Sequence, residues 1–308
     1  MVRAAELGRE VRRAASPNPG VGCVIEAADG RVFEGATEPP GGRHAEIVAL
    51  DAPGDAAAGA TVWVTLEPCA HTGRTGPCAD ALVAAGVVRV EVGLEDPDPN
   101  VAGQGIARLR GAGIDVAVTH DRDIAHDLRA YLTHRRLGRP FVTLKLAMTI
   151  DGRTIPEHGR WITGTQARAD GHRLRAENDA ILVGANTVRV DDPELTTRDA
   201  PGPDPLRVVL GHAPTGAKVH PCLEVSGDIT DVLRALAQQG VTSLLVEGGE
   251  QTARAFQDAG FVDEYVMYVA GATPVTAGNA MEDMWDADVL HLDRFGQDVR
   301  VILVPRPR

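Results

Sequence analysis

The feature that most constrains the fold of this chain is a histidine and two cysteines spaced to hold one metal ion. His44 stands two residues before Glu46, and the pair Pro68-Cys69 is followed by a second Pro-Cys pair that ends at Cys78. One imidazole and two thiolates suit a tetrahedral Zn²⁺ whose fourth position is open to water. The alternative interpretation is that His44 begins an ordinary helix and that the cysteines are small core residues.

The same residues predict a chemistry. In the first turn of a helix, His44 can reach the ion while the Glu46 carboxylate reaches the water on it. Zinc lowers the pKa of that water to about 7, and a carboxylate can then carry protons. The order His-x-Glu, Pro-Cys, Cys is typical of zinc deaminases, although their cysteines usually stand two residues apart. Here eight residues separate Cys69 from Cys78.

Length and charge exclude several classes of protein. The 308 residues suffice for one or two domains, each with its own core. No apolar run reaches the roughly 20 residues of a membrane helix, and no signal-peptide segment follows Met1, so we expect a cytoplasmic protein without a membrane partner. The net charge of −12 argues against a nucleic-acid partner. Four cysteines, two of them assigned to the metal, give no disulfide framework.

Alternating strand and helix patterns predict an α/β protein with two domains. In the first, we expect strands at 21–25, 31–35, 61–66, 87–92 and 114–118, and helices at 2–15, 44–50, 78–85 and 103–111. In the second, we expect strands at 141–147, 180–183, 206–210, 243–246 and 264–270, and helices at 165–177, 229–239 and 251–259. A helix at 121–137 connects them, and the Gly and Pro that follow place the boundary between residues 137 and 138.

Both domains carry motifs of a known family. The first contains Ser16-Pro-Asn-Pro-Gly-Val-Gly-Cys-Val-Ile, Gly42-Arg-His-Ala-Glu and Thr65-Leu-Glu-Pro-Cys-Ala-His-Thr-Gly-Arg-Thr-Gly-Pro-Cys. The second contains Leu144-Lys-Leu-Ala-Met-Thr-Ile-Asp-Gly-Arg, Trp161-Ile-Thr-Gly, Ile181-Leu-Val-Gly-Ala-Asn-Thr-Val, Asp191-Asp-Pro-Glu-Leu-Thr and Val246-Glu-Gly-Gly. Together they resemble the bifunctional deaminase/reductase family of riboflavin biosynthesis, and the long loop between the cysteines is that family's own spacing.

The resemblance implies two reactions on a small phosphorylated pyrimidine. Residues 1–137 would be a cytidine-deaminase-like α/β/α sandwich that uses Zn²⁺ to deaminate 2,5-diamino-6-(5-phosphoribosylamino)pyrimidin-4(3H)-one. Residues 138–308 would be a dihydrofolate-reductase-like α/β domain that uses NADPH to reduce the ribosyl group to a ribityl chain. We also expect a homo-oligomer.

In the first domain, the resemblance assigns His44, Cys69 and Cys78 to zinc and Glu46 to catalysis. It implies that four further residues bind substrate: Asn18, His71, Arg74 and Asp96. Taken alone, Asn18 can also be a turn residue, although we favour substrate contact, and a plain loop role is open for His71 and Arg74. Asp98 stands where the family has an asparagine, which adds a negative charge near a phosphorylated substrate.

In the second domain, the resemblance assigns catalysis to Lys145 and Asp191. It implies substrate binding by Gly159, Arg175, Leu195, Arg198 and Glu247, and cofactor binding by Ala147, Trp161, Thr187, Asp191, Gly248 and Gly249. Three observations on the residues support these assignments. Lys145 is one of only two lysines in the chain, and the planar guanidinium of arginine can form two hydrogen bonds to a phosphate. A Gly-Gly pair at the start of a helix favours an anion, because its backbone N–H groups are free and the helix dipole is positive there. The structural alternatives are that Lys145 is an ordinary cation at the end of a strand, that Asp191 caps a helix or turn, and that the arginines are solvated surface residues.

Three features favour an alternative in which only the deaminase works and the second domain is not catalytic. The segment between Arg207 and Thr230 is short, so a strand and its helix are expected to be missing. Glu250 would repel a cofactor phosphate at the Gly-Gly helix. Residues 269–278 lack the Pro-x-Leu-Leu-Gly-Gly pattern that is usual in the family. A third alternative, a binding or scaffold protein without enzymatic turnover, conflicts with the complete set of predicted metal ligands and Glu46. A fourth, deamination of a base in RNA or DNA, conflicts with the acidic net charge of the chain.

Overall fold

The computed structural model describes residues 1–52, 54–70, 76–98, 101–154, 161–198, 200–272, 277 and 285–306. The chain divides into two compact units, Met1–Arg139 and Pro140–Arg308. The boundary expected from sequence lies two residues earlier. No helix in the described ranges is both long and apolar enough to cross a bilayer.

The first unit is built on a five-stranded sheet. Its strands are β1 (Gly22–Glu26), β2 (Val32–Ala36), β3 (Thr61–Leu66), β4 (Arg89–Leu94) and β5 (Asp115–Val118), in the order β2-β1-β3-β4-β5. β1 is antiparallel to β2 and β3, whereas β3, β4 and β5 are parallel. Its helices are α1 (Val2–Ala15), α2 (Ala45–Leu50), a short 3-10 turn (Gly54–Ala57), α3 (Cys78–Ala84), α4 (Gln104–Gly111), α5 (Arg122–Asp127) and α6 (Arg129–Leu137).

Side chains of β1 alternate between two apolar clusters, as the two-residue period of a strand requires. Cys23 and Ile25 join the main core, while Val24 packs with Ala4 and Leu7 of α1. The main core also contains Ile124, Leu128 and Leu132. The single helix predicted at 121–137 is wrong, because the backbone leaves the helical region at Leu128 (φ −92, ψ 6) and the turn lets both α5 and α6 bury apolar residues.

Close contact between α2 and the sheet depends on one glycine. A Cβ at Gly35 in β2 would lie 2.3 Å from the carbonyl oxygen of Ala45 and 2.5 Å from the nitrogen of Ala49. Only glycine lets α2 approach so near. The start of α2, where the predicted metal ligand His44 stands, is thereby fixed against the sheet.

The second unit is built on an eight-stranded sheet. Its strands are β6 (Phe141–Thr149), β7 (Ala180–Gly184), β8 (Leu206–Leu210), β9 (Leu223–Val225), β10 (Ser243–Val246), β11 (Glu264–Ala270), β12 (Ala287–Phe295) and β13 (Asp298–Pro305). They lie in the order β12-β13-β11-β6-β10-β7-β8-β9. The six strands from β11 to β9 are parallel, and β13 and β12 extend the sheet in antiparallel fashion. Its helices are α7 (Thr165–Glu177), α8 (Ala185–Asp191), α9 (Ile229–Gln238) and α10 (Glu250–Asp258).

The short segment after β8 keeps its strand but not a helix. Residues 211–228 are all described, and they form β9 beside β8 with no helix before α9. The expected loss of a strand is therefore wrong. Because parallel strands end at one edge of a sheet, β6, β7 and β10 bring their carboxyl ends together, which is where ligands bind in such sheets.

Candidate active sites

The three predicted metal ligands meet in the first unit. Nδ1 of His44 lies 3.7 Å from Sγ of Cys69 and 3.3 Å from Sγ of Cys78, and the three ligand atoms lie within 4.8 Å of one another. In a tetrahedral site with Zn–S of about 2.3 Å and Zn–N of about 2.0 Å, sulfur and nitrogen stand about 3.5 Å apart. The two observed distances fall on either side of that value. The donor set and its spacing therefore fit zinc.

Local structure places each ligand. His44 is the N-cap of α2, Cys69 follows β3, and Cys78 is the first residue of α3. The backbone N–H of Cys78 points at Sγ of Cys69 (3.4 Å), and the N–H of Ala79 donates to the Cys69 carbonyl (3.1 Å). Hydrogen bonds from Cys78 and then His44 lower the pKa of the Cys69 thiol, which favours the thiolate that a metal binds.

Glu46 lies in the first turn of α2, where sequence analysis expected it. Its side chain is buried, 3% exposed, and contacts the Cys78 thiol. Burial raises the pKa of Glu46 to about 7, although the nearby His44 opposes the shift. A carboxylate held out of bulk water beside the ligand cluster is arranged to accept and return a proton there.

A buried carboxylate that sequence analysis missed supports the metal hairpin. Glu67, at the end of β3, accepts hydrogen bonds from four backbone N–H groups of the segment that follows β4. These are the amides of Asp96 (3.2 Å), Gly103 (3.0 Å), Gly105 (2.9 Å) and Ile106 (3.1 Å). The available signal was an acidic residue directly before Pro-Cys at a strand end, with no partner nearby in sequence.

The predicted substrate residues of this unit have structural partners or lie outside the described residues. Asp96 is buried, accepts hydrogen bonds from the Tyr131 hydroxyl (3.1 and 3.0 Å), and its pKa is raised by burial. Asn18 is half-buried in a turn, where its N–H donates to the carbonyl of residue 15 (2.9 Å). His71 and Arg74 fall outside the described residues. Their roles in substrate binding stay predictions.

Two adjoining cavities open in the second unit, with volumes of about 960 and about 590 Å³. Both are lined by Lys145 from β6, by Glu247 just after β10, and by Trp161 and Arg168. Lys145 therefore stands at the junction of the two. This arrangement leaves two adjoining spaces with a cation between them.

The larger cavity gathers all the residues predicted to bind the cofactor. It is lined by Ala147, Trp161, Thr187, Asp191, Gly248 and Gly249. The N–H of Gly249 donates to the Thr187 hydroxyl (3.3 Å), and a Cβ at Gly248 would lie 2.4 Å from the Cβ of Thr252, so this turn needs glycine. Glu250 lines the cavity too, but its carboxylate pairs with Arg254 (2.5 Å), which offsets the repulsion of a phosphate.

An ion network holds Lys145 in place. Arg175 donates two hydrogen bonds to Glu247, from Nε (2.8 Å) and Nη2 (3.0 Å), and Lys145 Nζ lies 3.7 Å from the same carboxylate. Burial of Glu247 opposes its ionisation, but the two cations prevail and lower its pKa to about 2. Lys145 Nζ also lies 5.7 Å from the ring centroid of Tyr268, a cation–π distance.

Three predicted substrate residues have differing outcomes. Arg198 lines the smaller cavity and pairs with Glu194 (3.2 Å). Leu195 is 2% exposed and belongs to an apolar cluster with Val188, and it is not among the described residues that line either cavity. Gly159 lies outside the described residues.

A second buried carboxylate also escaped sequence analysis. Asp170 of α7 accepts hydrogen bonds from the Tyr268 hydroxyl (2.6 Å), Nη1 of Arg300 (2.8 Å) and Nε of Arg173 (2.8 Å). The network joins α7 to β11 and β13. It therefore fixes the helix that supplies Arg168 and Arg175 to the smaller cavity, although no local pattern in the sequence predicts it.

Comparison with known proteins gives one family match in each of the two units. The family model for the cytidine and deoxycytidylate deaminase zinc-binding region matches residues 1–94, and the model for the RibD C-terminal domain matches residues 140–286. Riboflavin biosynthesis protein RibD of Escherichia coli K12 is 38% identical over 316 residues, covering 88% of this chain and 86% of that protein. RibD of Mycobacterium tuberculosis H37Rv is 40% identical over 330 residues, covering 98% and 96%.

Solved structures extend the likeness to the whole chain. Acinetobacter baumannii RibD, form 1, has a TM-score of 0.88 at 34% identity and covers 99% of this chain and 98% of its own. The diaminohydroxyphosphoribosylaminopyrimidine deaminase/5-amino-6-(5-phosphoribosylamino)uracil reductase of Thermotoga maritima has a TM-score of 0.88 at 29% identity, with 99% and 97% covered. With both halves matched in one chain, the protein belongs to the RibD family of riboflavin biosynthesis proteins.

Proposed function

We propose that this chain catalyses two successive steps of riboflavin biosynthesis, a zinc-dependent deamination in the first unit and an NADPH-dependent reduction in the second. The observation that carries the proposal is that both residue sets are assembled in one chain. His44, Cys69 and Cys78 converge beside Glu46, and Lys145 stands at the junction of two cavities. The substrate we infer is the diaminopyrimidinone ribosyl phosphate named above.

In the deaminase, zinc held by the three ligands supplies a water whose pKa falls to about 7. Glu46 is the proton carrier that the chain itself provides. Its buried carboxylate takes a proton from the attacking water and returns protons to the ring nitrogen and to the departing amine, so that one water enters and one ammonia leaves. A general acid–base of this kind contributes about 10²- to 10⁴-fold to the rate.

In the reductase, bound NADPH supplies the hydride that the ribosyl carbon receives. Lys145 lines both cavities, and its ammonium group can donate a hydrogen bond to the sugar oxygen that becomes the free hydroxyl. Glu247 and Arg175 hold that ammonium group in position. Gly248 and Gly249 stand at the start of α10, and the N-terminus of a helix favours an anion such as a cofactor phosphate.

The alternative with a non-catalytic second domain has lost part of its support, although residues 211–228 form no helix, as expected. β9 is present, and Glu250 is paired with Arg254. Half of the altered 269–278 stretch lies outside the described residues. The homo-oligomeric state and the cytoplasmic location remain proposals, and light scattering on the purified chain tests the first.

The decisive test supplies the zinc-loaded full chain with the diaminopyrimidinone ribosyl phosphate and NADPH, and follows ammonia release and NADPH absorbance together. The wild type is expected to show both. Glu46→Ala is expected to abolish both, because the reductase then lacks its substrate, whereas Lys145→Ala is expected to abolish only NADPH oxidation. If the wild type released ammonia but did not oxidise NADPH, only the deaminase activity would stand. If the wild type showed neither ammonia release nor NADPH oxidation, the proposal would be refuted.

A further inference from the structure

The ammonium group of Lys145 has a carboxylate nearby but is not hydrogen-bonded to it. Its Nζ lies 3.7 Å from Oε2 of Glu247, which is an ion-pair distance and too long for a hydrogen bond. Arg175 already donates to both oxygens of that carboxylate (2.8 and 3.0 Å). Glu247 therefore attracts the ammonium group without fixing the direction in which it points.

A second contact of Lys145 is the ring of Tyr268 in the neighbouring strand, whose centroid lies 5.7 Å from Nζ. In the pairing of β11 with β6, Val266 stands beside Lys145 and Tyr268 beside Ala147. Because side chains alternate between the two faces of a sheet, Lys145 and Tyr268 project from the same face. An aromatic face attracts a cation and offers no strong hydrogen-bond acceptor. The ring can therefore hold the ammonium group and leave its N–H groups to a ligand.

The ring of Tyr268 is itself fixed from the side of α7. Its side chain is 1% exposed, and its hydroxyl donates to Oδ2 of Asp170 (2.6 Å). The same oxygen accepts a hydrogen bond from Nη1 of Arg300 (2.8 Å), and the other carboxylate oxygen accepts one from Nε of Arg173 (2.8 Å). The ring of Phe295 meets that of Tyr268 edge-on, with the centroids 6.4 Å apart. The ring beside Lys145 is therefore anchored at its hydroxyl and packed at its side.

We propose that Tyr268 is a positioning residue of the reductase: its ring holds the ammonium group of Lys145 at the junction of the two cavities, and Asp170 holds the ring. The proposal rests on the function proposed for Lys145. Tyr268 is not among the described residues that line either cavity, so we assign it no contact with substrate or cofactor. The competing explanation is that Tyr268 only packs the core and satisfies its hydroxyl on Asp170.

The first test observes Lys145 directly and needs no turnover. The chain contains only two lysines, Lys145 and Lys218, so the full chain labelled with ¹³C at lysine Cε gives two ε-methylene signals in NMR. Lys218 is exposed and lies 3.7 Å from Asp192, and its signal serves as the internal reference. Lys218→Arg removes that signal and so assigns the pair. Because protons over an aromatic face are shielded, the proton signals of Lys145 are expected upfield of those of Lys218.

Three variants assign that upfield shift to the ring. Tyr268→Leu removes the ring and is expected to return the Lys145 signal to the position of an ordinary lysine. Tyr268→Phe keeps the ring and should keep the shift. Tyr265→Leu is the matched control, because Tyr265 is a buried ring of the same strand that packs in the apolar cluster on the opposite face of the sheet. It should leave the shift unchanged. The wild-type spectrum tests the proposal even if Tyr268→Leu does not fold.

The second test measures the reductase reaction with the ready-made aminouracil ribosyl phosphate. Tyr268→Leu is expected to lower kcat by about 2- to 30-fold, the range that a lost cation–π contact gives. The KM for the substrate and the Kd for NADPH should not change, since Tyr268 lines neither cavity among the described residues. Tyr268→Phe should restore kcat to within about twofold of wild type. Tyr265→Leu should keep kcat while it lowers the thermal midpoint as Tyr268→Leu does.

The outcomes separate this inference from the proposed function. A wild-type Lys145 signal at the ordinary lysine position, or one that Tyr268→Leu does not move, would overturn the inference. An equal loss of kcat in Tyr268→Leu and Tyr265→Leu would reduce Tyr268 to a core residue and equally overturn it. If the upfield signal depended on Tyr268 but the wild type oxidised no NADPH, the proposed reductase would be refuted while the placement of Lys145 by Tyr268 stood.

Discussion

Replacing the buried carboxylate of Glu67 by glutamine tests whether this side chain holds the metal hairpin in place. Glu67 directly precedes Pro68-Cys69, and its two oxygens accept four backbone N–H groups from the segment 96–106. Glutamine has the same shape, but it presents one acceptor oxygen and one NH₂ group. In Glu67→Gln, two of the four amides therefore lose their acceptor and face a donor instead.

The cost follows from the number of bonds lost. A hydrogen bond to a charged acceptor contributes about 1.5–3 kcal/mol, so losing two costs about 3–6 kcal/mol before any relaxation. At the lower end, the segment that contains Gly103, Gly105 and Ile106 would open about 100-fold more often. Gly105 packs so tightly against Pro68 that a Cβ added to it would lie 1.8 Å from the Pro68 carbonyl oxygen. Opening of the segment therefore also frees the hairpin that carries Cys69.

Amide hydrogen exchange measures this local opening in the full chain. Peptides that cover residues 101–111 are expected to exchange about 100-fold faster in Glu67→Gln, and zinc is expected to dissociate faster during dialysis. Peptides from β7, in the other unit, serve as the internal control, and Glu26→Gln replaces an exposed glutamate of the same unit as the matched variant. If exchange at 101–111 stayed within about threefold of wild type, the four-bond account of Glu67 would be wrong.

Four further changes probe the two sites. Cys69→Ser is expected to lower the zinc content measured by atomic emission and to abolish ammonia release, while NADPH oxidation with the ready-made aminouracil substrate persists. Glu46→Gln should keep its zinc and lose about 10²- to 10⁴-fold in ammonia release. Gly105→Ala should lower the thermal midpoint, because overpacking of this kind costs about 1–3 kcal/mol. The lowered pKa of Glu247, about 2 against 4.5, stabilises the fold above pH 4.5 by up to about 3 kcal/mol, and this term is lost as pH falls towards 2. In urea titrations, the stability gap between wild type and Glu247→Gln should therefore narrow over that range.

The sequence predicted most strands of both sheets, because buried parallel strands are short apolar runs between turn residues. The structure confirms β3, β10 and β11 with the bounds expected. The sequence pattern missed α8, a seven-residue helix that begins directly after Gly184, because so short a segment has too little periodicity. It also left β12 and β13 unassigned. A bulge between Val289 and His291 interrupts the two-residue period of β12, so its apolar residues do not alternate cleanly.

The metal site could be predicted from the sequence, whereas the roles of several other buried residues could not. Zinc restricts both the type and the spacing of its ligands, so His44 and the cysteines carry their own signal. Glu67 binds amides that lie 29 to 39 residues further along the chain, and Asp170 binds an arginine 130 residues away. Such roles depend on tertiary partners, which no local pattern records.

The last hairpin shows why the reductase site extends beyond its recognisable motifs. The match to the RibD C-terminal domain ends at residue 286, before β12 begins. Asp298, the first residue of β13, accepts a hydrogen bond from the N–H of Gly164 (2.6 Å), which caps α7, and Arg300 of the same strand bonds to Asp170 within α7. One strand near the sheet edge therefore holds α7 at its start and again in its first half. Since α7 carries Arg168 and Arg175 of the smaller cavity, the hairpin belongs to the catalytic unit on physical grounds, although its own sequence contains no catalytic motif.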